Sequence, residues 1–316
     1  MTGPSVEEVK AEALRIGFVA CGVARLDPSE RGDALDRWLA AGYGGTMRYL
    51  HRQARKRKHP AMVTPGARSA IVVLENYAPP PDERPRAGDA FKIAAYARGM
   101  DYHLVTLGRL HILAEWLKAR GAGLAHAWVD DGPVPDRELA ERAGLGWIGK
   151  NTMLIHPRIG SYTFIGSVFT DLELASEASL ATDLCGSCTR CLDACPTGAF
   201  VADRVLDATR CLSYLTIEYK GTPAVELLPR WDGWAFGCDV CNDVCPWNVK
   251  FASPTAVAEF GLRHDPDRRA PAAFEEMDEA EFSRKFADTP LARPGLARMR
   301  RNVATAVASH AEPENR

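Results

Sequence analysis

The sequence predicts an α+β chain in three stretches. They are a layered α/β unit over residues 1–178, a cysteine-dense segment over 179–250 and a short helical tail over 251–316. Three observations carry that division. Short apolar, β-branched runs alternate with helical periodicity up to about residue 175, the pattern of helices layered on a sheet. Eight of the nine cysteines then fall between Cys185 and Cys245, about a fifth of the chain. Beyond them, apolar residues return to helical spacing. An apolar content of 46% with 25% charged residues is that of an ordinary packed protein, so none of the three stretches need be disordered.

Ser5, with Glu8 three residues on, reads as a capping box. The helix it opens places Val6, Val9, Ala13 and Ile16 on one face and stops at Gly17. The apolar run 18–23 is a buried strand, with Cys21 as a small core side chain. Residues 35–39 predict a second helix. Residues 47–59 are the most basic stretch, and two readings stay open for them. One is a solvated helix face; the other is a surface that neutralises phosphates. Ala70-Ile-Val-Val-Leu74 is a core strand, and 79–85 is a loop. Residues 96–103 are denser in polar groups than a packing segment needs. Leu107, Leu110, Leu113 and Leu117 lie near one face of a helix over 104–117. After the cysteines, 251–273 reads as loop, and 274–286 and 295–307 as two helices, the second basic at Arg298, Arg300 and Arg301.

The run Cys185-Gly-Ser-Cys188-Thr-Arg-Cys191-Leu-Asp-Ala-Cys195-Pro196 has the C-x2-C-x2-C-x3-C-P spacing of bacterial ferredoxins. There, three close thiolates hold one iron–sulfur cluster and the fourth reaches the other. Cys238, Cys241, Cys245 and Pro246 repeat the pattern with its first cysteine displaced upstream to Cys211. A two-residue step lets a tight turn aim neighbouring sulfurs at one cubane, and the step to Cys-Pro carries the chain away. The spacing therefore pairs Cys185, Cys188, Cys191 and Cys245 on one 4Fe-4S cluster, and Cys195, Cys211, Cys238 and Cys241 on the other. Zinc sites favour separated C-x2-C pairs, and disulfides need an oxidising compartment. Both fit this spacing less well.

A strand ending at Trp128-Val129 delivers paired acids, Asp130 and Asp131, ahead of a Gly-Pro turn, where side chains point into clefts. Turn formation is the commonplace alternative. Gly144, Gly146 and Gly149, with Lys150 and Asn151, admit backbone close to a large ligand. The match to a dinucleotide fingerprint is superficial. It follows a helical run rather than a strand and lacks an acid at the required offset, which excludes a Rossmann site. His156, before a proline, is a lone histidine of the kind that more often packs than ligates.

The net charge of −2 gives no global pull towards nucleic acid, so any such contact must be local. The acidic start lacks the pattern of a signal peptide, and no run approaches the ~18 apolar residues of a membrane span. The expectation is a cytoplasmic protein with no membrane partner, working as a monomer, with its thiolates kept reduced.

Taken together, several segments resemble the epoxyqueuosine reductase family. They are Val129-Asp130-x-Gly-Pro-Val, Gly144-Leu-Gly-Trp-Ile-Gly-Lys-Asn151, Gly160-Ser161, the eight cysteines, Cys211-Leu-Ser213-Tyr-Leu-Thr-Ile and Gly237-Cys-Asp-x-Cys-Asn-x-x-Cys-Pro-Trp-Asn248. The likeness covers most of residues 5–250. It implies a cobalamin-binding catalytic unit fused to a ferredoxin-like domain with two 4Fe-4S clusters. The implied reaction is the reduction of epoxyqueuosine to queuosine in the tRNA wobble position, the last step of that modification. An external low-potential donor such as a flavodoxin or ferredoxin would supply the electrons. Asp130 corresponds to the family's proton donor, and beside a large apolar ring it is expected to be buried with a raised pKa; Asp131 falls in the variable place. Arg57 is similar to the arginine that contacts cobalamin. Ser213 and Asp239 match segments packed between corrinoid and nearer cluster, and Lys150 and Asn151 are further cofactor contacts. Many members continue into an array of helical repeats, of which Arg301-Asn302-Val303 resembles only the start. Two other classes share parts of the pattern. Against a cobalamin-dependent reductive dehalogenase stand the absent export signal and the specific Asp130 and Lys150 segments. A plain two-cluster electron carrier leaves the first 180 residues without a purpose.

Overall fold

Both faces of the central strand are covered, which is why 70–74 reads as an unbroken apolar run. Ile71 and Val73 pack with Val9, Ala13, Leu110, Leu113 and Leu117 of the helices Val6–Ile16 and Tyr102–Lys118. Ala70, Val72 and Leu74 point the other way, to Leu139 and Ala140 of the helix Asp136–Arg142. Period-2 alternation of side chains thus sends apolar groups to two helical layers. The computed structural model describes residues 3–85, 89–176, 183–263 and 271–310.

The main sheet has four strands in the order Ala20–Arg25, Ser69–Asn76, Thr163–Thr170, Ala125–Trp128. All three pairings are antiparallel. The unit is therefore an antiparallel α+β sandwich and not the parallel α/β layer that strand–helix alternation brings to mind. The physical reason is an insertion. The helix Tyr102–Lys118 lies on the connection from Ser69–Asn76 to Ala125–Trp128, and those two strands do run the same way. Thr163–Thr170 then enters between them in the opposite sense.

The stretch 274–286 is not one helix but two, Pro271–Glu276 and Glu279–Phe286. Asp278 breaks it by capping the second, its side chain accepting the Glu281 amide at 2.8 Å. The tail is built into the core and not appended to it. Phe274, Phe286, Met299 and Val303 share one buried cluster with Ile93, Leu215, Trp231 and Phe236, so a single core draws on all three stretches read from the sequence. A two-stranded parallel ladder, Lys92–Ile93 with Trp234–Phe236, joins the first stretch to the second. The basic residues of the last helix, Leu296–His310, turn inward. Arg298 donates to the Ile217 carbonyl at 2.6 Å, Arg301 to that of Leu215 at 2.7 Å and Arg300 to that of Phe274 at 2.8 Å. They satisfy carbonyls that the ends of other elements leave unpaired. None of the described helices is long and apolar enough to cross a membrane.

Candidate active site and cluster-binding segment

The strand Ala125–Trp128 runs out through buried Val129, and Asp130 follows with φ of 50°, in the left-handed region. Among residues with a Cβ, Asp and Asn tolerate that region best. The turn presents the Asp130 carboxylate to Tyr102, whose hydroxyl donates to Oδ2 at 2.6 Å. Tyr102 is itself fixed, stacked on Phe164 with centroids 4.3 Å apart and planes 10° from parallel. Burial first, and the Asp130 charge second, push its phenol well above the usual range, so it stays a donor. Asp131 takes the commonplace role, accepting the Val129 amide at 3.0 Å.

Arg57 ties down the loop beyond. From the basic helix Arg48–Lys58 its Nη1 and Nη2 donate to the carbonyls of Val134 and Gly132 at 3.1 and 3.3 Å. Asp130 is exposed, which departs from the buried acid implied by resemblance. The desolvated acid is Asp136, which burial first and the charge of Asp130 second raise to about 8. Arg137 has exposed surface yet is walled by protein, and desolvation lowers its pKa. Arg57 Nε and Asp136 Oδ1 are buried and without partners. Such unmet hydrogen-bonding capacity fits a large ligand with polar groups along its edge, as the amide-fringed corrinoid has.

All nine cysteines are free thiols. Cys185, Cys188, Cys191 and Cys245 line one cavity of about 320 Å³. Burial, then the neighbouring Cys185, raises Cys191 to about 11. In the second group, burial raises Cys211, Cys238 and Cys241, and the charges of Cys195, Cys211 and Cys241 add to it. Four thiols so close resist ionising together; cluster iron supplies the positive charge that makes thiolate the stable form. Among the described residues no three candidate ligands converge as they would on a single ion. The thiolates of a cubane each hold a different iron and stand further apart. Trp147 Nε1 donates to Cys185 Sγ at 3.4 Å and the Ala199 amide to Cys195 Sγ at 3.3 Å. Ser213 and Tyr214, in the first turn of the helix Leu212–Ile217, follow Cys211, which opens that helix. Hydrogen bonds to cluster sulfurs are among the groups that tune such centres.

Asp239, 4% exposed, leads into the helix Val240–Asp243 and accepts the Ala95 amide at 2.6 Å, tying the cysteine segment to residues 94–97. Burial, then the charge of Asp243, raises it to about 7. Lys150 pairs with Asp203 at 3.1 Å, and Asn151 Nδ2 donates to the Cys241 carbonyl at 3.3 Å. Both line the first cysteine cavity, at the iron–sulfur end. Asn248 shows why Gly160-Ser161 and Pro-Trp-Asn248 belong together. Its Oδ1 accepts the Ser161 amide at 2.6 Å, and its Nδ2 donates to Ser161 Oγ and the Asn242 carbonyl at 2.8 and 2.9 Å. Gly160 has φ of 76°, and a Cβ there would lie 2.1 Å from Asn248 Oδ1.

Sequence reasoning left Tyr102 and Asp136 without roles. Tyr102 lay inside the polar-dense segment 96–103, which was the available signal. Nothing marked Asp136, because its character comes from what surrounds it.

Comparison with known proteins agrees with this geometry. Residues 57–131 match the family described as epoxyqueuosine reductase QueG, DUF1730, and residues 184–248 match the 4Fe-4S double cluster binding domain. An epoxyqueuosine reductase of Pseudomonas aeruginosa is 40% identical over 302 residues, 94% of this chain and 83% of that protein. One from Cellulophaga algicola is 38% identical, over 93% of this chain and 95% of its own length. The crystal structure of an epoxyqueuosine reductase with an epoxyqueuosine-modified tRNA stem loop superposes with a TM-score of 0.87. It is 30% identical and covers 97% of this chain and 82% of that one. The enzyme from Streptococcus thermophilus gives 0.82 at 30% identity, over 96% and 80%. On this evidence the chain belongs to the epoxyqueuosine reductase family.

Proposed function

We propose that this protein reduces epoxyqueuosine at the wobble position of tRNA to queuosine, consuming two electrons and two protons and releasing the epoxide oxygen as water. The observation that carries the reading is Asp130, exposed and held by Tyr102, in a chain that also holds two cysteine tetrads. Each cluster moves one electron at a time, so two in series suit a two-electron reduction. When bound, cobalamin supplies the low-valent cobalt chemistry at the epoxide, and Arg57, with its unpartnered Nε, and Asp136 would hold its polar edge. Asp130 delivers a proton to the departing oxygen, and the Tyr102 hydroxyl stabilises the carboxylate left behind. In this reading residues 1–178 carry the corrinoid, 179–250 the clusters, and 251–316 brace both, in a cytoplasmic monomer fed by a low-potential donor.

The tRNA surface is assigned to the basic helix. Arg48, Arg52, Arg55 and Lys56 are exposed at i, i+4, i+7 and i+8, one face of the helix. Among the described residues none of the four has a carboxylate partner, whereas Lys58 is engaged by Asp36 at 2.7 Å. A wobble base splayed from its loop would then reach Asp130.

The deciding experiment is anaerobic. Cluster- and cobalamin-loaded protein, reductant and epoxyqueuosine-containing tRNA are incubated, and the digested nucleoside is weighed. Loss of one oxygen, dependent on cobalamin, is the expected result; an unchanged nucleoside overturns the reading. Asp130→Asn, which keeps shape but not the proton, should slow turnover by about 10²-fold or more with cobalamin still bound.

A further inference from the structure

The two cysteine tetrads differ in their surroundings. The accessible surface of the thiols does not mark the first group as the outer one: seven are half-buried, and Cys245, in the first tetrad, is buried. The protein packed around them does. Cys238 and Cys241 flank the buried Asp239, which accepts the Ala95 amide. The first tetrad borders the outside. Gly186, Ser187, Thr189 and Arg190, between its ligands, are exposed. The helix Pro246–Phe251, which follows Cys245, presents Val249 at 68% exposure with Lys250 beside it, and Leu184, which lines the same cavity as Lys250, is 42% exposed.

The charges on this face are sorted by pairing. Lys150 is neutralised by Asp203, and Arg204 pairs with Asp183. Asp193 accepts the Thr189 hydroxyl at 2.7 Å. Among the described residues, Arg190 and Lys250 have no carboxylate partner, and Lys250 lies 5.0 Å from the Phe251 ring centroid. The face carries exposed Leu184 and Val249 and two cations without a carboxylate partner, and Leu184 and Lys250 line the cavity of the first tetrad. Small patches of this kind suit transient redox encounters, whose interfaces are the smallest of the specific ones.

We propose that this face docks an acidic one-electron carrier protein, which reduces the first cluster. The inference rests on the proposed function for its electron demand, since the chain has no reductant of its own and each turnover consumes two electrons. Each encounter transfers one electron from the reduced carrier to the cluster held by Cys185, Cys188, Cys191 and Cys245. No bond is made or broken, and two encounters meet the demand. The electron then passes to the second tetrad, beside Asp239.

The test uses full-length, cluster-loaded protein with an acidic flavodoxin in its hydroquinone state as probe. Carbodiimide, which joins carboxylates to amines, should link flavodoxin to Lys250. In stopped flow, the Val249→Asp, Lys250→Glu variant should be reduced by flavodoxin about tenfold more slowly than wild type, with the difference shrinking as salt is added. Reduction by a small chemical reductant should be unaffected. Equal rates of reduction by flavodoxin, or cross-links confined to another face, would overturn the proposal. If the double variant loses iron, Lys250→Glu alone gives the same readouts. Failure of the functional reading looks different: chemically pre-reduced wild type would then leave epoxyqueuosine in tRNA unchanged, whatever flavodoxin does.

Discussion

Tyr102 and Asp130 show how one hydrogen bond fixes a turn residue in place. The left-handed backbone at Asp130 sends its carboxylate towards the phenol, while Asp131, one residue on, folds back to its own loop. Tyr102→Phe keeps the ring stacked on Phe164 and removes only the hydroxyl. A hydrogen bond to a charged partner contributes about 1.5–3 kcal/mol, so kcat should fall about ten- to a hundredfold. KM for tRNA should stay near wild type, since the hydroxyl orients the acid and does not grip the polynucleotide. A KM effect with kcat preserved would remove the positioning role. The turn at Asp130 was legible because a strand that ends in acids before Gly-Pro is a local pattern. Its neighbour Asp136 was not, because its raised pKa depends on burial and on Asp130, which only the fold brings close.

At the level of elements, the hairpin that carries Trp147–Ile148 against Leu154–Ile155 ends in a turn whose histidine is structural. His156 is 8% exposed, and its Nδ1 accepts the Arg158 amide at 3.1 Å. Burial first, then the Arg158 charge, lowers it to about 4 from an ordinary value near 6.5. The folded protein therefore holds the neutral ring, and as pH falls the unfolded chain takes up a proton first. The associated stability is complete above pH 6.5 and is lost as pH falls from 6.5 towards 4, by at most about 3 kcal/mol. Thermal melts from pH 7 to 5 should fall more steeply for wild type than for His156→Asn; parallel curves would assign the acid sensitivity elsewhere. Elements were most readable where their signal was local, as with the capping box of Ser5 and Glu8, which forms in the structure. The tail was legible only as charge on a helix: Arg298, Arg300 and Arg301 are each consumed by carbonyls from segments some 23 to 86 residues away, which only the fold brings close.

Across the whole molecule, a net charge of −2 conceals a division of labour along one basic helix. Arg57 turns inward to hold the loop beyond Asp130, Lys58 is spent on Asp36, and Arg48, Arg52, Arg55 and Lys56 face outward. The same element that fixes the acid would thus meet the substrate's backbone, which couples the position of the RNA to that of the proton donor. Lys and Arg on phosphates bind by releasing counterions, so affinity falls with salt in proportion to the contacts made. Arg55→Glu, Lys56→Glu should weaken binding of an anticodon stem loop and reduce the slope of log affinity against log salt by about 1.5. Because neither side chain touches the Asp130 loop, turnover at saturating tRNA should remain close to wild type. An unchanged salt slope would return this face to simple solvation and move the RNA to another surface. Loss of kcat with the slope intact would instead mean that the helix matters for holding Asp130 and not for holding the substrate.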